Sequence, residues 1–181
     1  FGEFMIATKL SDAYISGEGE RSIVALLKGE KYNGYQQIDN LDELPNPDYS
    51  DFDFSKYTNK NQAVAITGSR GCVRNCTFCD IKSAWKHYRY RSGTSLADEI
   101  IHHHKHFGSK EFYFTDSLIN GSLKAFRDMC DKLANYNQIH KAGFSWGGQF
   151  IFKQKKTVTD DYFDMIAQAG GDQFYVGVET G

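Results

Sequence analysis

From residue 63 to the end of the chain, strand-like and helix-like runs alternate, and this constrains the fold more than anything else in the sequence. Ala63-Val64-Ala65-Ile66-Thr67 is a short apolar run closed by Gly68. Similar runs recur at Glu111 to Thr115, Ala142 to Trp146 and Phe174 to Val178, each of a length suited to a buried strand. Helical patterns lie between them. Ser95 is expected to cap a helix carrying Leu96, Ile100, Ile101, His104 and Phe107 and stopping at Gly108. Ser122 opens a second, with Leu123, Phe126, Cys130 and Leu133 on one face. Thr159 opens a third, with Asp160 and Asp161 in the first turn, where acidic side chains suit the helix dipole. Its apolar stripe is expected at Phe163, Ile166 and Ala167, and its stop at Gly170. Strands and helices in this order build parallel βαβ units, so the fold class is α/β, as a barrel or an open sheet.

Upstream of residue 63 the character changes. Ala13-Tyr14-Ile15, Gly17-Glu18-Gly19-Glu20 and then Ile23, Ala25, Leu26 and Leu27 read as one more strand-turn-helix unit. Residues 39–56 hold Asp39, Asp42, Glu43, Asp48, Asp51 and Asp53 against Lys56 alone, with both prolines, Pro45 and Pro47, and read as an extended, solvated connector. The organisation expected is therefore a first unit over 1–38, an acidic linker over 39–60 and a main domain over 61–181. The chain opens on Phe1, carries no recognisable leader and stops at Gly181 directly after a strand-like run, so it is expected to be a piece of a longer protein. With 21 Lys+Arg against 23 Asp+Glu, bulk charge does not hold it to nucleic acid or to a membrane surface. No run approaches the ~18 apolar residues of a spanning helix.

Three of the four cysteines, Cys72, Cys76 and Cys79, fall within one short segment, while Cys130 stands alone on a helix face. A disulfide framework would be dispersed through the chain; a clustered set reads as metal binding in a reducing compartment, and a cytoplasmic location is expected. The spacing is Cys-x3-Cys-x2-Cys, directly after a strand and the expected turn Gly68-Ser69-Arg70-Gly71. Soft thiolates select iron-sulfur clusters, zinc or copper(I). A closed zinc site needs four ligands, and no second Cys-x2-Cys pair is present to supply them. A four-iron cubane held by three protein ligands leaves one iron open, as catalysis requires, and the C-terminal end of a strand is where α/β barrels carry their chemistry.

Ile66-Thr67-Gly68-Ser69-Arg70-Gly71-Cys72 through Cys79-Asp80-Ile81 resembles the signature of the radical S-adenosylmethionine (radical SAM) enzymes, C-x3-C-x-aromatic-C, with Phe78 as the aromatic. The resemblance implies a partial TIM-like (β/α) barrel, four of about six strand-helix units, over residues 61–181. It implies a 4Fe-4S cluster on Cys72, Cys76 and Cys79, with the amino and carboxylate groups of S-adenosylmethionine on the fourth iron. Reductive cleavage of that cofactor to a 5'-deoxyadenosyl radical would then serve hydrogen abstraction, or methyl or methylthio transfer, on an unknown substrate. A reductant such as flavodoxin or ferredoxin is the implied partner, and no catalytic residue is assigned beyond the cluster. Carried over one position at a time, Phe78 packs beside the adenine, Asp116 and Ser117 in Phe114-Thr115-Asp116-Ser117 meet the cofactor's amino group, and Glu179 meets the ribose hydroxyls. The segment around Asp116 departs from the Gly-Gly-Glu pattern of many members and is similar to an acidic variant found behind cobalamin-binding domains.

The run Tyr14-Ile15-Ser16-Gly17-Glu18-Gly19-Glu20, with Leu44-Pro45-Asn46-Pro47-Asp48-Tyr49, is similar to the junction between a cobalamin-binding Rossmann-like domain and a radical SAM barrel. Residues 1–38 are accordingly expected to be the last unit of such a domain, and cobalamin is a candidate cofactor of a longer parent chain, although no D-x-H-x-x-G motif occurs in this sequence. Two further signals receive plainer readings. His102 and His106 have the i, i+4 spacing of a chelating pair but read as a half-exposed helix face. Residues 66–91 carry six Lys/Arg against one Asp, interleaved with Trp85, Tyr88 and Tyr90; this could bind single-stranded nucleic acid, but a collar around an anionic cluster is equally natural. The rival functions are an iron-sulfur electron-transfer protein and a zinc-stabilised nucleic-acid-binding module.

Overall fold

The structure, a computed structural model, describes residues 2–31, 34–53, 56, 63–152, 159 and 161–178. They fall into two compact units, divided between Asp39 and Asn40.

The first unit contains helices α1 (Gly2–Ala7) and α2 (Gly19–Leu27). The expected helix is present at α2. The expected strand at Ala13 to Ile15 is not: among the described residues of this unit, pairing is limited to one parallel bridge between Gly17 and Gln36. The turn into α2 is tied by the carboxylate of Glu18, which accepts from the Ile38 N–H at 2.6 Å. Ile23, Val24, Leu26 and Leu27 of α2 are exposed.

In the second unit a short 3-10 turn at Leu41–Glu43 precedes β1 (Val64–Ile66), β2 (Ser69–Arg70), α3 (Ile81–Ala84), β3 (Arg89–Tyr90), α4 (Gly93–Phe107), β4 (Glu111–Phe114), α5 (Leu123–His140), β5 (Ser145–Gln149), α6 (Tyr162–Gln168) and β6 (Gly171–Tyr175). Strands β1, β4, β5 and β6 form a parallel sheet in that order. This is the expected run of βαβ units, in which each helix returns the chain to the next parallel strand. Val64, Ile66, Phe112, Phe114 and Trp146 face one side of the sheet and pack with Leu96, Ile100, Phe126, Met129, Leu133, Tyr162 and Ile166 from the helices. On the opposite side Ala65, Thr67, Tyr113, Thr115, Gln149 and Tyr175 are exposed. A closed barrel would enclose that second face.

In the second unit, local signals and structure differ at several points. The cap of α4 is Ser92, whose hydroxyl accepts from the Ser95 N–H, one turn before the expected cap at Ser95; Gly108 ends the helix with φ 67° as anticipated. Helix α6 begins at Tyr162, behind Asp161, so its buried positions are Tyr162 and Ile166, while Phe163 and Ala167 of the expected stripe are exposed. Strands β5 and β6 lie about three residues from their expected positions because both contain glycines that read as stops. At Gly147 the reason is steric: a Cβ there would stand 1.9 Å from the Gln173 carbonyl oxygen, so only glycine lets β5 and β6 pair. Finally, the acidic stretch is not simply a solvated connector. The Asp42 carboxylate accepts from the Ser92 N–H, the Asn46 side-chain oxygen accepts from the Arg91 guanidinium at 2.9 Å, and the Tyr49 ring lies 5.2 Å from that of His103.

Candidate cluster site

The cysteine loop starts where β1 ends, at the C-terminal edge of the parallel sheet. Gly68-Ser69-Arg70-Gly71, expected as a turn, contains β2, which pairs antiparallel with β3 so that Ser69 meets Tyr90 and Arg70 meets Arg89. The Arg91 N–H adds a bond to the Gly68 carbonyl at 2.8 Å. The segment that carries the cysteines is therefore closed at its base by a two-stranded clasp. Gly71, at φ 85°, turns the chain out of it, and a side chain there would press on the His87 carbonyl. The guanidiniums of Arg70 and Arg89 each stand 5.8 Å from the centre of the Trp85 ring, which joins the two arms by cation-π contact.

All three cysteines of the loop are free thiols, Cys72 half-buried and Cys76 and Cys79 exposed. The Arg74 N–H points at the Cys72 sulfur at 3.4 Å, the kind of backbone donor that stabilises a thiolate. Cys130 is buried, and burial pushes its thiol well above the usual range, so it is no ligand for this loop. Among the described residues no three His, Cys, Asp or Glu side chains gather around a point as a single metal ion requires. The donor chemistry suits a multi-iron cluster, which takes each thiolate on a different iron and accepts soft sulfur ligands from an open loop. The rings of His102 and His106 lie 4.2 Å apart on the outer face of α4, consistent with the plainer reading of that pair.

Phe78 is 73% exposed, so it is not a core aromatic. Ser117 is exposed just beyond β4, and Glu179 lies outside the described residues. Asp116 is in a different situation. It is buried, its Oδ2 accepts from the Gly68 N–H at 2.8 Å, and its Oδ1 accepts from the Ser69 hydroxyl at 2.5 Å. Burial raises its carboxyl to about 6, against the lowering effect of the Ser69 and Gly68 bonds. The expectation that Asp116 meets the cofactor's amino group meets a physical obstacle, since the carboxylate is turned into the protein. The cap of α5 is Ser122, as expected, its hydroxyl accepting from the Ala125 N–H.

Three elements of the site were not read from the sequence. Tyr88 and Arg91 looked like parts of an exposed basic-aromatic collar, yet Arg89 and Arg91 are buried and Tyr88 is half-buried. Thr67 and Thr115 bring their hydroxyls within 3.0 Å of each other at the rim of the open sheet face. Period-two patterning could have singled out this pair, as both follow buried strand residues.

Residues 66–181 match the family profile described as the Radical SAM superfamily. The chain belongs to the radical SAM superfamily. Among curated relatives of this radical SAM chain, the anaerobic magnesium-protoporphyrin IX monomethyl ester cyclase of Synechocystis sp. is 25% identical over 93% of the chain and 37% of that protein. An uncharacterized methyltransferase of Pyrococcus horikoshii is 30% identical over 93% of the chain and 40% of that protein. Among solved structures, the radical S-adenosylmethionine methyltransferase TsrM of Kitasatospora setae, with cobalamin and a [4Fe-4S] cluster bound, superposes with a TM-score of 0.56 at 19% identity. That match covers 65% of the chain and 21% of TsrM, and it shows a shared fold. The chain thus spans two fifths or less of the length of each of these proteins.

Proposed function

We propose that this chain carries the cluster-bearing part of a radical SAM enzyme, with Cys72, Cys76 and Cys79 holding a 4Fe-4S cluster whose open iron takes S-adenosylmethionine. The observation that carries this reading is the loop of three free thiols, clasped at its base at the C-terminal edge of a parallel sheet, within a segment matched by the family profile. When bound, the cluster supplies the electron that cleaves the cofactor to methionine and a 5'-deoxyadenosyl radical. The protein's own part is to hold and orient. Phe78 offers an exposed ring to the adenine, Ser117 a hydroxyl to the cofactor's amino group, and Glu179 a carboxylate to the ribose hydroxyls. The open sheet face with Thr67, Thr115, Gln149 and Tyr175 forms the wall against which cofactor and substrate lie.

Hydrogen abstraction, or methyl or methylthio transfer, is the outcome proposed, and the methyltransferases among the curated relatives favour transfer. The electron comes from a flavodoxin or ferredoxin. Exposed free thiols call for a reducing compartment, and the cytoplasm supplies one. No helix among the described residues is long and apolar enough to cross a membrane. A nucleic-acid substrate is less favoured, because Arg89 and Arg91 are turned inward. Residues 1–38 are proposed as the last unit of a preceding Rossmann-like domain; two of the curated alignments cover 93% of the chain and so extend into this segment.

Anaerobic reconstitution with iron and sulfide tests the reading. The expected result is a 4Fe-4S absorption and paramagnetic spectrum that shifts on addition of S-adenosylmethionine. A cluster whose spectrum ignores the cofactor would mean electron transfer, and a colourless protein with one bound zinc a structural module. Cys76→Ala is expected to lose the cluster; normal assembly in that variant would overturn the ligand assignment.

A further inference from the structure

We infer that Asp116 is a positioning residue for the cysteine loop, tying both of the loop's arms to the end of β4 through Ser69 and Tyr88, and not a residue that touches the cofactor. The inference rests on the cluster reading of Cys72, Cys76 and Cys79 and names what holds that site in shape.

The outgoing arm is bound directly, by the Gly68 N–H and the Ser69 hydroxyl on the two carboxylate oxygens. The returning arm reaches the same place through Tyr88, which lines one small cavity together with Ser69, Asp116 and Ser122 at the start of α5. Proton accounting gives this chain one direction. Ser69 has a single hydroxyl proton, and once it goes to Asp116 the serine oxygen is free to accept from the Tyr88 O–H. Each proton is used once, and the chain must end on a group that only accepts, which an ionised carboxylate does. An amide at position 116 would offer one acceptor and set an N–H2 against a donor.

Space argues the same way. Asp116 is 3% exposed, and the cavity beside it, lined in part by Ser69 and Tyr88, measures about 10 Å³. That is room for about one water molecule and not for the ammonium end of an amino acid. Gly121 shows how closely the phenol is held, since a Cβ there would stand 2.3 Å from the Tyr88 oxygen.

The test is amide hydrogen exchange on the metal-free protein across residues 68–71 and 88–91, together with iron content and the paramagnetic line shape after anaerobic reconstitution. Loss of a buried, charge-assisted bond is expected to speed local exchange about tenfold or more in Asp116→Ala, with Asp116→Asn intermediate. Iron per chain is expected to fall, and the line shape to broaden in the clusters that form, before any S-adenosylmethionine is added. The opposite pattern overturns the inference: native exchange, native iron and native line shape in Asp116→Ala, with only the response to S-adenosylmethionine lost. If Asp116→Ala does not fold, Ser69→Ala and Tyr88→Phe leave the carboxylate in place and interrupt the chain. Faster exchange at 68–71 in these two supports the inference, and unchanged exchange in both refutes it. Should the native protein take up no iron, the cluster reading fails, while exchange in the metal-free state still decides the role of Asp116.

Discussion

The guanidinium of Arg91 and the carboxylate of Glu99 form an ion pair inside the protein, with side chains 9% and 1% exposed. Arg91 follows directly on the returning arm of the cysteine loop and also donates to Asn46 and Ser95, so one cation joins the acidic stretch, the start of α4 and the base of the loop. Burial alone would raise the Glu99 carboxyl, but His103 and Arg91 beside it outweigh burial and hold it below the usual carboxylate range.

Removing one partner of this pair should therefore be costly. Arg91→Met leaves a buried carboxylate uncompensated and is expected to destabilise the protein by about 3–5 kcal/mol, whereas Arg91→Met combined with Glu99→Leu should recover much of the loss. Urea unfolding of the two variants checks this. A single variant no less stable than the double would show that the pair is not coupled.

Asp116 and Glu99 should leave opposite marks on stability against pH. The folded carboxyl of Asp116 is raised from 3.8 to about 6, so the folded state keeps a proton that the unfolded chain has already released. Its contribution is fully present below pH 4 and is lost as the pH rises to about 6, by up to about 3 kcal/mol. Glu99, lowered, contributes above its unfolded value and loses that contribution as pH falls through its folded one. Thermal unfolding of the metal-free protein between pH 4 and 7 should show the decline, and Asp116→Asn should flatten it.

The glycines that hold the site differ in what they abut. Gly121→Ala meets the Tyr88 side chain, which can swing away, and is expected to cost about 1–3 kcal/mol. Gly147→Ala meets a backbone carbonyl of the adjacent strand and should cost more, because β5 and β6 must separate. Melting temperatures of the two variants give the order.

Thiol chemistry should divide the four cysteines. In the metal-free native protein Cys72, Cys76 and Cys79 are expected to react promptly with a chromogenic disulfide reagent, and Cys130, buried with a raised pKa, only on unfolding. Cluster assembly should protect the first three. Fast reaction of Cys130 in the native state would mean that α5 does not pack on the sheet as described.

Much of this architecture is legible in local pattern. The order of parallel units, the Ser122 cap, the stop at Gly108 and the buried face of α5 all follow from spacing that the chain displays within one or two turns. The shifts in β5 and β6 arise where a residue's reason lies on another strand. Gly147 and Gly148 look like a break until Gln173 and Phe114 are known to press against them. The stripe of α6 moves for a related reason: the helix starts at Tyr162, and the core it faces, not the acidic cap signal, decides which positions are buried.

The proposed donor set is legible in the sequence alone. Three thiols at fixed spacing after an apolar strand specify soft-metal chemistry, because ligand type and loop length are local properties. The surroundings of Asp116 exist only in the folded chain. Its partners Gly68 and Ser69 lie 48 and 47 residues away, and the burial that raises its pKa belongs to the assembled core. A carboxylate after a strand reads as a ligand for whatever cation comes near, until packing shows which donors reach it first.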